Sequence, residues 1–373
     1  MKVVFKGKEL FGAMGKVIRG VMNRAVLPVL SGILLEGEGE KARLTATDLE
    51  MGIHAECAAR FVEGGQVVLP GKIFWNIVRG TQGTELEMTT LPGSVLEIKA
   101  GKSYYRLSGY PAADFPVFPP YPEDGAVRMG GMALREAISR TYFAVSRDEM
   151  RPTLTGLLFE LENRFVNLVA TDGHRLSVAR LPAEGIEEGQ FERFLVPVRA
   201  AVEMIRMIQD QEAELFFGHG RVLLRCGTSA LFSRLIEGEF PQYREFLSQE
   251  SITRITVSRD SLIAVLERVS VVFIEEFGVV RMKVLEKRLE FVVQSPELGE
   301  ARDELEASVE GKRLEIAYNI RYFLEAIKAA PWEMIELGIT GEITPTRIGG
   351  SGDEYECILM PLRSEEDGEI KGS

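Results

Sequence analysis

The amino-acid sequence predicts an α+β fold built from three tandem copies of one unit, each with the order helix, strands, helix, strands. At 373 residues the chain exceeds what one hydrophobic core usually serves. Residues 46–49 (Ala-Thr-Asp-Leu) recur as residues 170–173 (Ala-Thr-Asp-Gly), 124 residues later. An acidic residue before Phe-Pro occurs in residues 113–116 and again in 238–241, at a spacing of 125 residues. Two matches at nearly one spacing indicate an internal repeat.

The first helix of each copy is predicted from apolar residues that recur with the helical period. The three stripes are Leu10, Met14, Val17 and Val21; Leu134, Ala137, Ile138 and Val145; and Leu262, Val265, Leu266 and Val269. Short alternating or apolar runs follow each helix, for example residues 32–35 and 157–161, and predict strands joined by turns.

The second helix of each copy is predicted at residues 72–79, 199–208 and 321–329. Pro70, Pro197 and Asn319 precede them, and both residue types suit a helix N-terminus. Breaks in the pattern near residues 121 and 250 predict domains at 1–121, 122–250 and 251–373.

Composition excludes several classes of protein. No run approaches the roughly 18 apolar residues of a membrane span, and no signal-peptide pattern follows Met1, so we expect a cytoplasmic protein. Cys57, Cys226 and Cys357 are far apart and fit neither a disulfide framework nor a zinc site. No Walker loop and no strand-to-helix Gly-x-Gly-x-x-Gly occurs, so no cofactor is predicted.

Positive charge is arranged by the repeat, although the formal net charge is −12. Each second helix carries two cations seven residues apart, which places them on one face. These pairs are Lys72 and Arg79, Arg199 and Arg206, and Arg321 and Lys328. Each first helix adds one cation at the same phase: Lys16, Arg140 and Arg268. One such helix face would be ordinary solvation, but six in register predict a lining that attracts phosphates without reading bases.

Five ordered motifs resemble those of the bacterial DNA polymerase III β subunit family, the β sliding clamps, and the resemblance covers essentially the whole chain. The motifs are Leu-Pro-Val-Leu at 27–30, Arg-Pro-Thr-Leu-Thr-Gly at 151–156, Thr-Asp-Gly-His-Arg-Leu at 171–176, Phe-Pro-Gln-Tyr-Arg at 240–244 and Met-Pro-Leu-Arg at 360–363.

The resemblance implies a head-to-tail homodimeric ring around double-stranded DNA, with twelve helices lining the hole and sheets outside. It also implies several partners: the catalytic subunit of the replicative polymerase, the clamp loader, and other proteins with a clamp-binding motif, such as repair and translesion polymerases, ligase and mismatch-repair proteins. No membrane association is expected.

For the ring joint, we expect the first and third copies to meet. Lys102 and Arg106 would face the acidic Glu300, Asp303 and Glu304, and Phe273 and Ile274 would add apolar contact.

By motif position, the resemblance implies a partner-peptide pocket that is mostly apolar, as a shared anchor site requires. Its residues would be Leu154, Thr171, Gly173, His174, Arg175, Leu176, Pro241, Phe246, Ile358, Met360, Pro361, Leu362 and Arg363. DNA contacts implied by the family fall on Arg24 and Arg79, and position suggests Lys72, Arg151 and Arg199 as well.

The chain departs from the family pattern at its end, where residues 364–373 add an acidic tail. Composition predicts disorder there. Because the tail begins beside the predicted pocket, it would shade the groove or repel acidic peptides.

Two alternatives belong to other functional classes. A hydrolase would use Asp172 and His174, with Ser177 or Cys226 as nucleophile, but no oxyanion loop or nucleophile elbow accompanies them. A scaffold protein without a DNA role would share the repeats and the groove, but it would not need cations aligned on six helices. The sequence therefore favours a non-catalytic clamp.

Overall fold

The computed structural model describes residues 1–22, 27–120, 122, 124–272, 278–295, 298–352 and 354–362. The chain divides into two compact units. Unit 1 comprises Met1–Arg135, Ala183–Gly185 and Arg199–Ile236, and unit 2 comprises Glu136–Pro182, Ile186–Val198 and Glu237–Ser373. In the described parts of the chain, no helix is both long and apolar enough to cross a membrane.

The element order repeats three times, which confirms the α+β class and the tandem copies. Copy one contains β1 (Lys2–Lys6), α1 (Gly7–Val17), β2 (Gly32–Glu38), β3 (Lys41–Thr47), β4 (Met51–Ala58), β5 (Arg60–Glu63), β6 (Gly65–Pro70), α2 (Gly71–Gly80), β7 (Glu85–Leu91), β8 (Val95–Ala100) and β9 (Ser103–Ser108).

Copy two contains β10 (Val127–Gly130), α3 (Gly131–Thr141), β11 (Gly156–Glu162), β12 (Phe165–Thr171), β13 (Arg175–Pro182), β14 (Phe191–Pro197), α4 (Val198–Met207), β15 (Glu212–Gly218), β16 (Arg221–Cys226) and β17 (Ser229–Arg234).

Copy three contains β18 (Thr253–Ser258), α5 (Arg259–Val269), β19 (Val279–Val284), β20 (Arg288–Ser295), β21 (Gly299–Glu306), β22 (Ser308–Gly311), β23 (Leu314–Asn319), α6 (Ile320–Ala329), β24 (Met334–Ile339), β25 (Thr346–Gly349) and β26 (Tyr355–Leu359).

Unit 1 holds two antiparallel sheets. The first has the strand order β5-β1-β7-β8-β9, and the second has the order β10-β15-β16-β17-β4-β3-β2-β6. The pairing of β17 with β4 joins strands from copies one and two in the second sheet. Helices α1 and α2 pack on each other. In α1, Leu10 and Met14 are buried as the periodicity predicted, and in α2, Phe74 and Val78 are buried.

Unit 2 repeats this arrangement. One sheet has the order β14-β11-β12-β13-β26-β25-β24-β18-β22, and the other has the order β21-β20-β19-β23. Strands β13 and β26, from copies two and three, are neighbours in the larger sheet. Helices α5 and α6 pack on each other, with Leu262, Leu266 and Phe323 buried.

All six predicted helices are present. Asn319 caps α6 as expected, since its side chain accepts hydrogen bonds from the backbone N–H groups of Arg321 and Tyr322. The first helices end earlier than the apolar stripes suggested, because Val21 and Val145 have extended backbones beyond α1 and α3. At the end of α3, the Thr141 hydroxyl donates to the carbonyls of Ala137 and Ile138.

A strand precedes the first helix in every copy, and the predicted order omitted it. β1, β10 and β18 are short, and their buried residues alternate with exposed or half-buried ones. In β1, for example, Val3 and Phe5 are fully buried. This period of two is the pattern of a half-buried strand.

The three cysteines are free thiols, and Cys226 and Cys357 are buried. Burial raises the pKa of Cys57 and of Cys357 to about 12.

Candidate functional site: a turn and a closing strand in unit 2

The turn between β12 and β13 is held by its own side chains. The Thr171 hydroxyl donates to the carbonyl of Arg175 at 2.7 Å and accepts from the N–H of Gly173 at 3.1 Å. Asp172 Oδ1 accepts from the N–H groups of His174 and Arg175 at 2.9 and 3.0 Å. Gly173 has a φ of +92°, a conformation that favours glycine. The backbone of the predicted pocket motif is therefore fixed locally.

The same turn occurs in copy one, hydrogen bond for hydrogen bond. The Thr47 hydroxyl donates to the Met51 carbonyl at 2.9 Å, and Asp48 Oδ1 accepts from the N–H groups of Glu50 and Met51. Leu49, with a φ of +77°, stands where copy two has Gly173. The repeated Ala-Thr-Asp segment thus encodes one turn twice, and only copy two follows it with an arginine, Arg175.

Arg175 is the best-connected side chain of this region and is only 7% exposed. Its Nε donates to Asp172 Oδ2 at 3.0 Å, its Nη2 donates to the Phe143 carbonyl at 2.6 Å, and its Nη1 donates to Glu325. The guanidinium carbon lies 4.1 Å from the centre of the Tyr322 ring and 5.1 Å from that of Phe143. The arginine therefore holds the turn against α6.

Phe143, Tyr322 and Glu325 were not predicted as site residues. Glu325 lies 150 residues from Arg175 along the chain, and no spacing rule connects the two positions. Burial, followed by the nearby carboxylate of Asp172, raises the pKa of Tyr322.

The closing motif meets the turn through strand pairing. Arg175 is opposite Leu359, and Leu176 is opposite Ile358, in the β13–β26 ladder. Beyond β26, the Met360 N–H donates to the His174 carbonyl at 2.8 Å, and the Leu362 N–H donates to the Ala317 carbonyl at 2.7 Å. Two motifs that are far apart in sequence are thus brought together. Arg363 and the tail at 364–373 lie outside the described residues.

The exposure of the predicted pocket residues is graded. Leu154, Leu176 and Ile358 are buried, whereas Met360 and Pro361 are half-buried. Pro241 is exposed, and Leu362 and Phe246 are 36% and 44% exposed. An apolar floor with accessible apolar edges suits a peptide anchor.

Two close approaches connect the remaining segments to the turn. A Cβ built on Gly173 would lie 3.6 Å from Arg151 Nη1, just before the 3₁₀ turn Pro152–Leu154. A Cβ built on Gly238 would lie 2.6 Å from Thr153 Cγ2, so the segment that leads to Pro241 passes that same turn. Arg151, predicted as a DNA contact, therefore lies beside the pocket turn, where it pairs with Asp148 at 2.9 Å and lowers the pKa of that carboxyl.

Most of the predicted DNA-contacting cations already have a carboxylate partner. The pairs are Arg140 with Glu136, Arg199 with Asp48, Arg206 with Glu203, Arg268 with Asp303, Arg321 with Glu325, and Lys328 with Glu267.

Three predicted cations differ from that group. Lys72 and Arg79 are exposed on α2. Within the described part of the chain neither has a carboxylate partner, and Arg79 Nη2 donates to Asn76 Oδ1 at 3.3 Å. Lys16 is half-buried, its amine donates to Ser229 Oγ at 2.9 Å, and burial lowers its pKa. Arg24 lies outside the described residues.

The charged residues predicted for the ring joint lie at two sheet edges. Lys102 and Arg106 are exposed at β9, the last strand of its sheet. Glu300, Asp303 and Glu304 lie on β21, also an edge strand, and pair within copy three with Arg302, Arg268 and Arg288. Phe273 and Ile274 lie outside the described residues.

The geometry does not support the hydrolase alternative. The bonds of Asp172 are to backbone N–H groups and to Arg175, and its link to His174 is through the backbone of that residue. Ser177 is fully buried and donates to the Arg140 carbonyl, and Cys226 is 4% exposed. No group of three or more potential metal-binding side chains occurs among the described residues.

Comparison with known proteins gives one consistent result. Residues 1–119, 129–242 and 244–363 match the N-terminal, central and C-terminal domains of the DNA polymerase III beta subunit. A beta sliding clamp of Chlamydia pneumoniae is 30% identical over 98% of this chain and 100% of its own length.

Solved structures agree with these matches. The DNA polymerase sliding clamp of Bacillus subtilis, 25% identical, superimposes with a TM-score of 0.93 over 98% of this chain and 99% of its own. The beta sliding clamp of C. crescentus, 31% identical, gives 0.91 over the same shares, and its structure has polyethylene glycol bound to a putative beta-motif tethering region. The three matched domains, the full-length relatives and the shared fold show that the chain belongs to the DNA polymerase III beta subunit family.

Proposed function

We propose that this protein is a DNA sliding clamp, a non-catalytic processivity factor that encircles duplex DNA and tethers the replicative polymerase to it. The full-length match to proteins named beta sliding clamps carries this proposal. The geometry supports it, because Asp172 is bonded to backbone N–H groups and to Arg175, and Ser177 and Cys226 are buried. We place the protein in the cytoplasm, where replication proceeds.

The tethering site is the apolar surface formed by the ends of β12, β13 and β26, the turn Pro152–Leu154 and the segment that carries Pro241 and Phe246. Half-buried Met360 and exposed Leu362 can adapt to several apolar peptide side chains in turn. Its users would be the catalytic subunit of the replicative polymerase, the clamp loader, repair and translesion polymerases, ligase and mismatch-repair proteins.

The DNA-facing surface would include the cations on the helices. Binding of phosphate by an ion-paired arginine requires that its carboxylate be displaced, whereas an unpaired cation releases counterions from DNA without that cost. Lys72 and Arg79 are therefore the strongest candidates, and the six paired cations are weaker ones.

For the ring joint, we propose that β9 of one protomer approaches β21 of the other, since both are edge strands with unpaired backbone groups. Because the acidic residues of β21 are already neutralised within copy three, backbone pairing would contribute more than charge attraction. Three copies from each of two chains would then close the ring.

Replacing both Lys72 and Arg79 with glutamine should weaken DNA binding and flatten its salt dependence together. Each phosphate contact contributes about 0.9 to the slope of log K against log salt concentration, so the loss of two contacts should reduce the magnitude of the slope by up to about 1.8 per protomer. The measurement is fluorescence anisotropy of a labelled duplex over a range of salt concentrations.

The matched control replaces Lys41 and Lys99, two exposed lysines on strands of unit 1, with glutamine. It removes the same charge away from α2 and should change the slope by less than half as much. Equal slopes for the two double variants would contradict a DNA contact at α2.

A further inference from the structure

The segment after β17, residues 237–250, supplies two of the proposed pocket residues. Pro241 and Phe246 are exposed. Phe240, directly before Pro241, and Tyr243, between the two exposed residues, are buried. Phe240 packs edge-on against Tyr243, with ring centroids 6.5 Å apart. The buried side chains therefore anchor the segment, and the exposed ones are accessible to a partner.

The buried anchor of this segment is a carboxylate. Glu160 on β11 is completely buried, and its oxygens accept from Tyr243 Oη at 2.8 Å and from Arg244 Nη2 at 2.5 Å. They also accept from Arg193 Nε on β14 at 2.8 Å. Burying a carboxylate without partners is very costly, so this charge depends on the bonds that satisfy it.

The directions of the pKa shifts agree with that geometry. Burial alone would raise the pKa of Glu160, but the hydrogen bonds from Arg244, Tyr243 and Arg193 outweigh burial and hold its pKa below the usual value. Burial and the neighbouring carboxylate raise the pKa of Tyr243. Glu160 is thus ionised and Tyr243 is a neutral donor at neutral pH.

One tight turn connects Tyr243 and Arg244, which bind Glu160, to Phe246. The N–H of Phe246 donates to the Tyr243 carbonyl, and the N–H of Leu247 donates to the Arg244 carbonyl, both at 3.1 Å, in the 3₁₀ turn Arg244–Phe246. Fixing Tyr243 and Arg244 therefore fixes the backbone that presents Phe246. Pro241 is two residues before Tyr243, and its own φ is restricted by its ring.

Copy one shows that the repeat does not need a charged anchor at this point. Phe118 stands 125 residues before Tyr243, the spacing of the Phe-Pro echo, and contacts His54 and Phe232 at ring-centroid distances of 4.4 and 5.0 Å. Glu36 stands 124 residues before Glu160, but its side chain is 35% exposed and pairs with Arg43 at 3.9 Å. Copy one therefore lacks the buried ionic network that copy two has at this point.

We propose that Glu160, Tyr243 and Arg244 are positioning residues for peptide binding, which hold Pro241 and Phe246 at the edge of the pocket without touching the peptide. This rests on the proposed function, because it assumes that the pocket binds partner peptides. It adds to the site one residue of β11 and two residues of the segment 237–250 that the motif resemblance did not assign to the pocket.

The test compares three single variants of the full-length protein: Tyr243→Phe, Arg244→Met and Arg193→Met. Arg193→Met is the matched control, because it also removes an arginine bond to Glu160 but leaves the bonds from Tyr243 and Arg244 to Glu160 in place. The probe is a fluorescent peptide carrying the clamp-binding motif of the polymerase catalytic subunit, and its Kd is measured at a temperature well below every variant's melting midpoint.

We expect Tyr243→Phe to raise Kd about 3-fold to 10-fold and Arg244→Met about 10-fold or more. A lost hydrogen bond to a charged group corresponds to about 10-fold or more, and only part of the loss at Tyr243 should reach the peptide site. Arg193→Met should change Kd less than about 2-fold although it lowers the melting midpoint too.

Equal weakening of peptide binding by Arg193→Met and Arg244→Met would overturn the proposal, because it would show that the network affects binding only through the overall stability of the fold. An effect of Arg244→Met alone, with Tyr243→Phe at the wild-type Kd, would also overturn it and would indicate direct contact by Arg244. If the wild-type protein itself does not bind the peptide, the pocket assignment fails, and the positioning role fails with it.

Discussion

Replacing Arg175 with methionine is expected to lower the stability of unit 2 by about 3–5 kcal/mol. The substitution retains most of the apolar volume but removes three charge-assisted hydrogen bonds at once. It leaves the nearly buried Asp172 without its cation and the Phe143 carbonyl without its donor, whereas Glu325 keeps its pair with Arg321. Uncompensated charge in a nearly closed environment costs more than the pair contributes when it is intact.

The measurement is chemical denaturation of the full-length protein, with the midpoint of the transition of unit 2 as the readout. Arg254→Met is the control, because Arg254 pairs with Glu336 at 2.9 Å but its side chain is 58% exposed. An exposed pair contributes about 1 kcal/mol or less, so the control should shift the midpoint slightly. Similar shifts for the two variants would show that Arg175 does not hold the turn.

Replacing both Met360 and Leu362 with alanine is expected to weaken binding of the polymerase peptide about 100-fold or more. Truncating an apolar anchor at the centre of an interface costs about 2 kcal/mol, and every 1.4 kcal/mol is a factor of ten in affinity. Leu362 is 36% exposed and Met360 half-buried, so the fold should tolerate their truncation better than that of the buried Leu176 or Ile358. The readout is the Kd of the fluorescent peptide.

A control with matched chemistry is available on the same copy of the repeat. Met334 and Ile343 are 51% and 55% exposed, and their double alanine variant should leave the peptide Kd within about 2-fold of wild type. DNA binding should be unchanged in both variants, because no cation is altered. A wild-type Kd for the Met360 and Leu362 variant would remove these residues from the pocket.

The elements that the sequence predicted are those encoded by local periodicity. The apolar stripes predicted the first helix of each copy, and Pro70, Pro197 and Asn319 predicted the start of the second. Asn319 marks the start of α6 through a bond pattern that depends on that residue type. The short strands before the first helices were missed, although Val3 and Phe5 in β1 alternate, because four to six residues of alternation are a weak signal beside a helical stripe.

The candidate site was predictable only as far as its motifs extend. Thr171, Asp172 and Gly173 form a turn whose hydrogen bonds all lie within five residues, so motif and geometry coincide. Tyr322 and Glu325, the partners of Arg175 on α6, lie 147 and 150 residues from it along the chain. Tyr243 and Arg244 lie 83 and 84 residues from Glu160. Such contacts follow from strand order and packing, which a linear pattern does not contain.

The sequence predicted cations aligned along the helices, and the structure adds carboxylate partners for six of them. Helical phase shows that Arg206 and Arg268 can reach solvent, but it does not show that Glu203 and Asp303 will meet them there. That is why Lys72 and Arg79, and not the whole set, carry the sharpest expectation for DNA. Lys16 shows the opposite case, since a neighbouring strand covers it and Ser229 binds its amine.

The measurement that tests the central claim most directly is the retention of loaded, labelled protein on a nicked circular DNA before and after a restriction enzyme linearises it. A closed ring held by topology should stay on the circle in moderate salt and should run off the ends once the circle is cut. A protein that binds DNA by its surface, or a scaffold that does not bind it, would give the same retention on both forms, and that result would contradict the clamp.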